Sequence, residues 1–160
     1  MARRRPDGFD LRAAIAQVSF TPGRSDFEGL LALLGEEEME DAAERSLLRA
    51  GDAAGRFLAE RFESTKAPIR ARSVRVVGRL AQETGANEWR TWLLARLDDT
   101  DAKGRRNAII ALGKIGGEGI EDALLASWSR ESEVHQRRSI AEALGKAGGV
   151  RAAAFLDGVR

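Results

Sequence analysis

The stretch Ala111-Leu112-Gly113-Lys114-Ile115-Gly116-Gly117 is written again as Ala143-Leu144-Gly145-Lys146-Ala147-Gly148-Gly149, 32 positions later and with one substitution. Upstream, Arg105-Arg106-Asn107-Ala108 is answered by Arg137-Arg138-Ser139-Ile140. A period of this length on helical sequence marks a stacked repeat array, in which each unit buries its apolar face against its neighbours. The repeat constrains architecture closely and function little, because the bound partner of such an array is not encoded in its period.

Ten helical segments can be read in order. Leu11, Ala14, Ile15 and Val18 recur at helical spacing over 10–18, and Phe27, Leu30, Leu31 and Leu34 form one apolar face that stops at Gly35. Ser25 is the expected cap of that second helix. Acidic residues from Glu36 to Asp41 open a third, where they complement the positive end of the helix dipole. A fourth carries Ala54, Phe57, Leu58 and Phe62, and a fifth runs from about Pro68 to Gln82 with Val76, Val77 and Leu80 inward. Trp89, Leu93 and Leu97 mark the sixth; Ala108, Ile109, Leu112 and Ile115 the seventh; Ile120, Leu124 and Trp128 the eighth; Ile140 and Leu144 the ninth. A short tenth covers 150–157. Helices this short need their neighbours for stability.

Charge is nearly balanced, 26 basic against 25 acidic residues, so no global field steers the chain to nucleic acid or membrane. Without cysteine there is no disulfide, thiolate zinc site or thiol nucleophile. No run approaches 18 apolar residues, and Asp7, Asp10 and Arg12 interrupt any leader after Arg3-Arg4-Arg5, so a cytoplasmic protein is expected. Residues 1–8 are expected to form a flexible basic arm ahead of a single domain over 9–160.

Residues 86–149 resemble HEAT repeats, in the short bacterial form also found in phycobilisome-lyase-type proteins. The residues that carry the resemblance are Trp89 to Leu97, the acidic turn Asp98 to Asp101, Arg105-Arg106 and Ala111-Leu112-Gly113, then Leu124-Leu125, Glu131 to Glu133, Arg137 and Ala143-Leu144-Gly145. Residues 9–85 read as degenerate repeats, and 150–160 as an incomplete last pair that exposes Ala153, Phe155 and Leu156. The implied fold is all-α, a right-handed α-solenoid of about five stacked antiparallel helix pairs.

The resemblance places the second helix of each pair on the partner-facing surface. With Val76, Val77 and Leu80 inward, Arg72, Arg75, Arg79 and Gln82 face outward, and a step of 32 extends the columns to Asn107, Ile110, Lys114, Ser139, Glu142 and Lys146. These ten residues form the expected partner-binding surface, polar and mildly basic with one apolar spot at Ile110.

Catalytic chemistry finds no support. His135 is the only histidine and reads as a surface residue. Asp98, Asp99 and Asp101 read as turn and cap residues rather than metal ligands. Trp89 and Trp128 sit on apolar positions, which core packing explains. Gly116-Gly117 lacks the Lys-Ser/Thr of a phosphate loop and reads as a helix stop. No cofactor or metal is expected. The preferred function is a non-catalytic protein-interaction or scaffold module. The alternatives are nucleic-acid binding with a link to DNA repair, resting on Lys66, Arg70, Arg72, Arg75, Arg79 and Arg3–Arg5, and an accessory subunit of a chromophore lyase, resting on the resemblance alone.

Overall fold

The computed structural model describes residues 5–159, so Arg3 and Arg4 of the basic arm and the terminal Arg160 lie outside the described residues. These residues hold ten α-helices and no strand: α1 (Leu11–Ile15), α2 (Phe27–Leu33), α3 (Glu40–Ala50), α4 (Asp52–Arg61), α5 (Ala67–Thr84), α6 (Asn87–Ala95), α7 (Ala102–Ile115), α8 (Ile120–Arg130), α9 (Val134–Ala147) and α10 (Val150–Gly158). Every helix expected from the periodicity is present, and the architecture is an α-solenoid. The chain divides into two compact units, 1–80 and 81–160.

In the N-terminal unit α2 packs on α3 and α4, α3 on α4, and α1 on α3. Leu30, Leu34, Leu47 and Leu58 are fully buried between them. The second helix is not capped by Ser25. Asp26 stands at its N-cap but makes no side-chain capping bond; its Oδ2 instead accepts the Gly23 N–H at 2.8 Å and closes the 3-10 turn Arg24–Asp26 ahead of α2. Asp26 is also gripped by Arg5, whose Nε and Nη2 donate at 2.9 and 2.5 Å. The Arg5 guanidinium lies over the rings of Phe9 and Phe20, at 4.6 and 5.1 Å. Arg5 of the expected arm is therefore held, because a buried carboxylate and two aromatic faces give this cation more than water does, while Pro6, Asp7 and Gly8 are exposed.

A second ion cluster joins α5 to α3. Arg72 pairs with Glu40, and at 3.1 Å with Asp41 and Glu44. Burial works against its charge, yet hydrogen bonds to Asp41 and Glu44 and the charges of Glu40 and Glu44 hold its pKa above the ordinary arginine value. Glu44 itself is buried and also takes Arg75 Nε at 3.1 Å. Arg70 donates to the Thr65 carbonyl at 3.0 Å.

In the C-terminal unit α6 pairs with α7 and α8 with α9, while α7 and α9 make the most extensive contact. Leu93, Ile109, Leu112, Ile120, Leu124, Ile140 and Leu144 are fully buried. Gly116 and Gly148 end α7 and α9 with φ of +62° and +74°, a region in which a side chain would be strained. The final helix α10 packs on α9 and α8. Its Phe155 meets Trp128 edge-on at 5.0 Å and 78°. Phe155 and Leu156 are thus half-buried rather than exposed, and Trp128 is half-buried rather than core. Ala153 stays exposed, as do Val150 and Val159.

Candidate partner-binding surface

Each pair in the C-terminal unit is held at its turn by the same two devices. Asp99 Oδ1 accepts the Asp101 N–H at 2.7 Å; one repeat later Glu131 Oε1 accepts the N–H groups of Ser132 and Glu133, both at 3.1 Å. Arg105 donates to the Asp99 carbonyl at 2.9 Å, and Arg137 to the Glu131 carbonyl at 2.7 Å. Asp101 caps α7 by accepting the Gly104 N–H at 2.9 Å. Two links then bridge successive turns: Arg105 to Glu131 at 3.3 Å and Arg130 to Asp98 at 2.9 Å. These groups, with Leu97, Ile109, Ile140 and Ser127, line a cleft of about 370 Å³. Asp98, Asp99 and Asp101 are therefore taken up by capping and by ion pairs to the adjacent repeat. Among the described residues no group of three or more His, Asp or Glu could hold a metal ion.

The outward face of the second helices follows from their burial pattern. On α7 the exposed positions Lys103, Arg106, Ile110 and Lys114 step by three or four residues and form one stripe. On α9 the stripe is His135, Arg138, Glu142 and Lys146, each 32 residues on. Ile110, Lys114, Glu142 and Lys146 thus lie where the sequence puts them, on adjacent packed helices. Ile110 is 37% exposed, and Glu142 is paired with Arg138 at 3.1 Å. Lys103, Arg106, His135 and Arg138 belong to the same face and were missed. Stepping back by four and then three from Ile110 and Glu142 finds all of them.

Two expected members do not belong to it. Ser139 is only 5% exposed and donates to the His135 carbonyl of its own helix at 3.1 Å. A back-bonded serine has no unpaired hydroxyl, which lets it sit in a helix seam. Asn107, one repeat earlier, is half-buried. Gln82 is exposed at the end of α5.

On α5, within the N-terminal unit, Arg75 and Arg79 are exposed, but Arg72 is committed to the α3 acids. The basic run from Lys66 to Arg79 is therefore not a free phosphate-binding strip. Arg70 and Arg72 brace a turn and an ion cluster, and Arg75 shares Glu44.

Charge is sorted by helix. Lys103, Arg105, Arg106 and Lys114 give α7 a formal +4; Arg137, Arg138 and Lys146 against Glu142 give α9 +2; Arg70, Arg72, Arg75 and Arg79 against Glu83 give α5 +3. The first helices α6 and α8 together carry −1, from Glu88, Glu121 and Asp122 against Arg90 and Arg130. A chain of formal +1 thus concentrates positive charge on α5, α7 and α9. The exposed cations of α7 and α9 attract and orient anionic groups.

Compared with known proteins, residues 90–159 match the family model described as HEAT repeats. No curated protein matches the chain. Among the described residues no helix is long and apolar enough to cross a membrane.

Proposed function

Since residues 90–159 belong to the HEAT-repeat family, whose members commonly serve as protein-interaction scaffolds, we propose that this chain is a non-catalytic interaction module that takes a protein partner on the outward stripes of α7 and α9. The observation that carries this reading is the pair of exposed stripes themselves, Lys103-Arg106-Ile110-Lys114 and His135-Arg138-Glu142-Lys146, presented in register on packed neighbours. Rigid helices in contact along their length hold these side chains at fixed spacing, so a partner meets a prearranged surface. Arg75 and Arg79 offer the same chemistry on α5.

Nucleic-acid binding is the second reading, favoured by the positive charge of the second helices. Two facts weigh against it. The Lys66–Arg79 run has lost Arg70 and Arg72 to internal contacts, and neither stripe carries a Phe, Tyr or Trp for base stacking.

A photocrosslinking side chain placed at position 114 or 146, in cells that make the chain natively, tests the surface. Crosslinks to protein from 114 and 146, and none from Thr91 or Ala126 on the exposed sides of α6 and α8, are the expected outcome. Protein crosslinks from 91 and 126 alone would remove the proposed surface.

A further inference from the structure

We infer that the partner presents an acidic segment with a central apolar residue, in the pattern acid-x-apolar-x-acid, lying along the α7 stripe. This rests on the surface proposed above. Of the eight stripe positions, Lys103, Arg106, Lys114, Arg138 and Lys146 are cationic and Glu142 is the single carboxylate. Glu142 is already engaged by Arg138 on its own helix, so it repels an incoming anion less than a free carboxylate would. Lys114 and Lys146 also sit in the last turns of α7 and α9. Both helix ends carry partial negative charge that favours these cations.

The spacing selects a peptide. Successive stripe positions on a helix lie about 5–6 Å apart. An extended chain presents alternate side chains to one side about 7 Å apart, at about 3.3 Å per residue. Acids two residues either side of a central apolar residue therefore reach Arg106 and Lys114 when that residue lies over Ile110. Ile110 is the one apolar member of either stripe, 37% exposed and flanked by those two cations. Contact there removes apolar surface from water, whereas a phosphate at the same place would lose hydration and gain no partner. An acidic peptide with an apolar centre thus uses the whole stripe, and a nucleic-acid backbone does not.

The test is fluorescence anisotropy of the full chain with a labelled peptide of about 12 residues containing Glu-Ser-Leu-Ser-Glu. Controls replace both Glu by Gln or Leu by Ser, and a random-sequence DNA duplex serves as competitor. Expected are saturable binding that weakens about tenfold or more with the Gln peptide and with the Arg106→Glu/Lys114→Glu variant. A loss of about threefold or more is expected with the Leu→Ser peptide and with Ile110→Gln, and steep weakening as salt rises. Equal binding of the Glu and Gln peptides, or full binding by the charge-reversed variant with unchanged circular dichroism, overturns the inference. So does a duplex that competes with the peptide while its own binding is indifferent to Ile110→Gln. If positions 114 and 146 crosslink a protein but the acidic peptide does not bind, the acidic segment is wrong and the surface stands. If those positions crosslink nothing while 91 and 126 do, the surface itself has failed.

Discussion

Gly113 of α7 and Ala143 of α9 meet backbone to backbone: a Cβ built on Gly113 would stand 2.7 Å from both the Cα and the Cβ of Ala143. Carbon atoms in folded proteins do not approach so closely, so only glycine permits the separation of these two helices. The repeat writes the same glycine again at Gly145. There the nearest atom to a built Cβ is Leu156 Cδ1, at an ordinary 3.9 Å. One residue type, in one sequence context, is a steric requirement in the first copy and a mere flexibility in the second.

The two glycines should therefore respond oppositely to alanine. Gly113→Ala forces α7 and α9 apart and is expected to lower stability by about 1–3 kcal/mol, the usual cost of overpacking. Gly145→Ala gains helix propensity without a clash and is expected to raise stability by about 0.5–1 kcal/mol. Urea unfolding of the two variants reads both signs, and equal shifts would contradict the seam.

This contrast shows how far the sequence could be read. The leucines of the repeat and the glycines that stop its helices were legible, because apolar spacing and positive φ are local properties: Leu112 and Leu144 are fully buried, and Gly116 and Gly148 take φ of +62° and +74°. The surface was less legible because contact between helices decides it. Ser139 looks outward as a polar residue at a repeat step, yet it is buried through its bond to His135. Arg72 reads as part of a basic strip, but its partners Glu40, Asp41 and Glu44 lie 28–32 residues away. A constant step of 32 also transfers poorly to α5, an 18-residue helix, from α7 and α9 of 14 residues each.

Asp26 should give the N-terminal unit an acid-sensitive element. Burial pushes its pKa up, but the Arg5 hydrogen bonds, the Gly23 N–H and the Arg5 charge outweigh this and leave it lowered. A carboxylate lowered in the folded state stabilises fully above its unfolded pKa, about 3.9, and loses that stabilisation as pH falls through its folded value. Asp26→Asn should cost about 1–3 kcal/mol at neutral pH through weakened hydrogen bonds to Arg5 and Gly23. The gap to the unmodified chain should narrow below about pH 4, the unfolded carboxyl range. Urea midpoints from pH 7 down to acid would show a constant gap if Asp26 were not held in this way.

Ser127 is 7% exposed, and its Oγ has no hydrogen-bond partner within the protein. A buried hydroxyl without a partner is a standing cost of about 1–3 kcal/mol unless water reaches it through the cleft. Ser127→Ala is therefore expected to leave stability unchanged or raise it by up to about 1 kcal/mol, with better helix propensity in α8 adding to the gain. A loss of more than about 1 kcal/mol in the thermal unfolding of this variant would mean that the hydroxyl holds an ordered water needed by the turn network.

Arg72 and Arg79 share one helix and should separate structure from surface. Arg72 holds Glu40, Asp41 and the buried Glu44, so Arg72→Ala leaves Glu44 with Arg75 alone and is expected to cost about 2–4 kcal/mol. Arg79 is exposed, and Arg79→Ala should stay within about 0.5 kcal/mol of the unmodified chain. The double change Glu44→Gln/Arg72→Gln should recover part of the first loss, because Glu44, the most buried acid of the cluster, is then no longer charged without Arg72. Denaturant unfolding of these three variants gives the comparison. If Arg72→Ala proves as harmless as Arg79→Ala, the cluster between α3 and α5 contributes little, and Arg72 returns to the set of residues available to a partner.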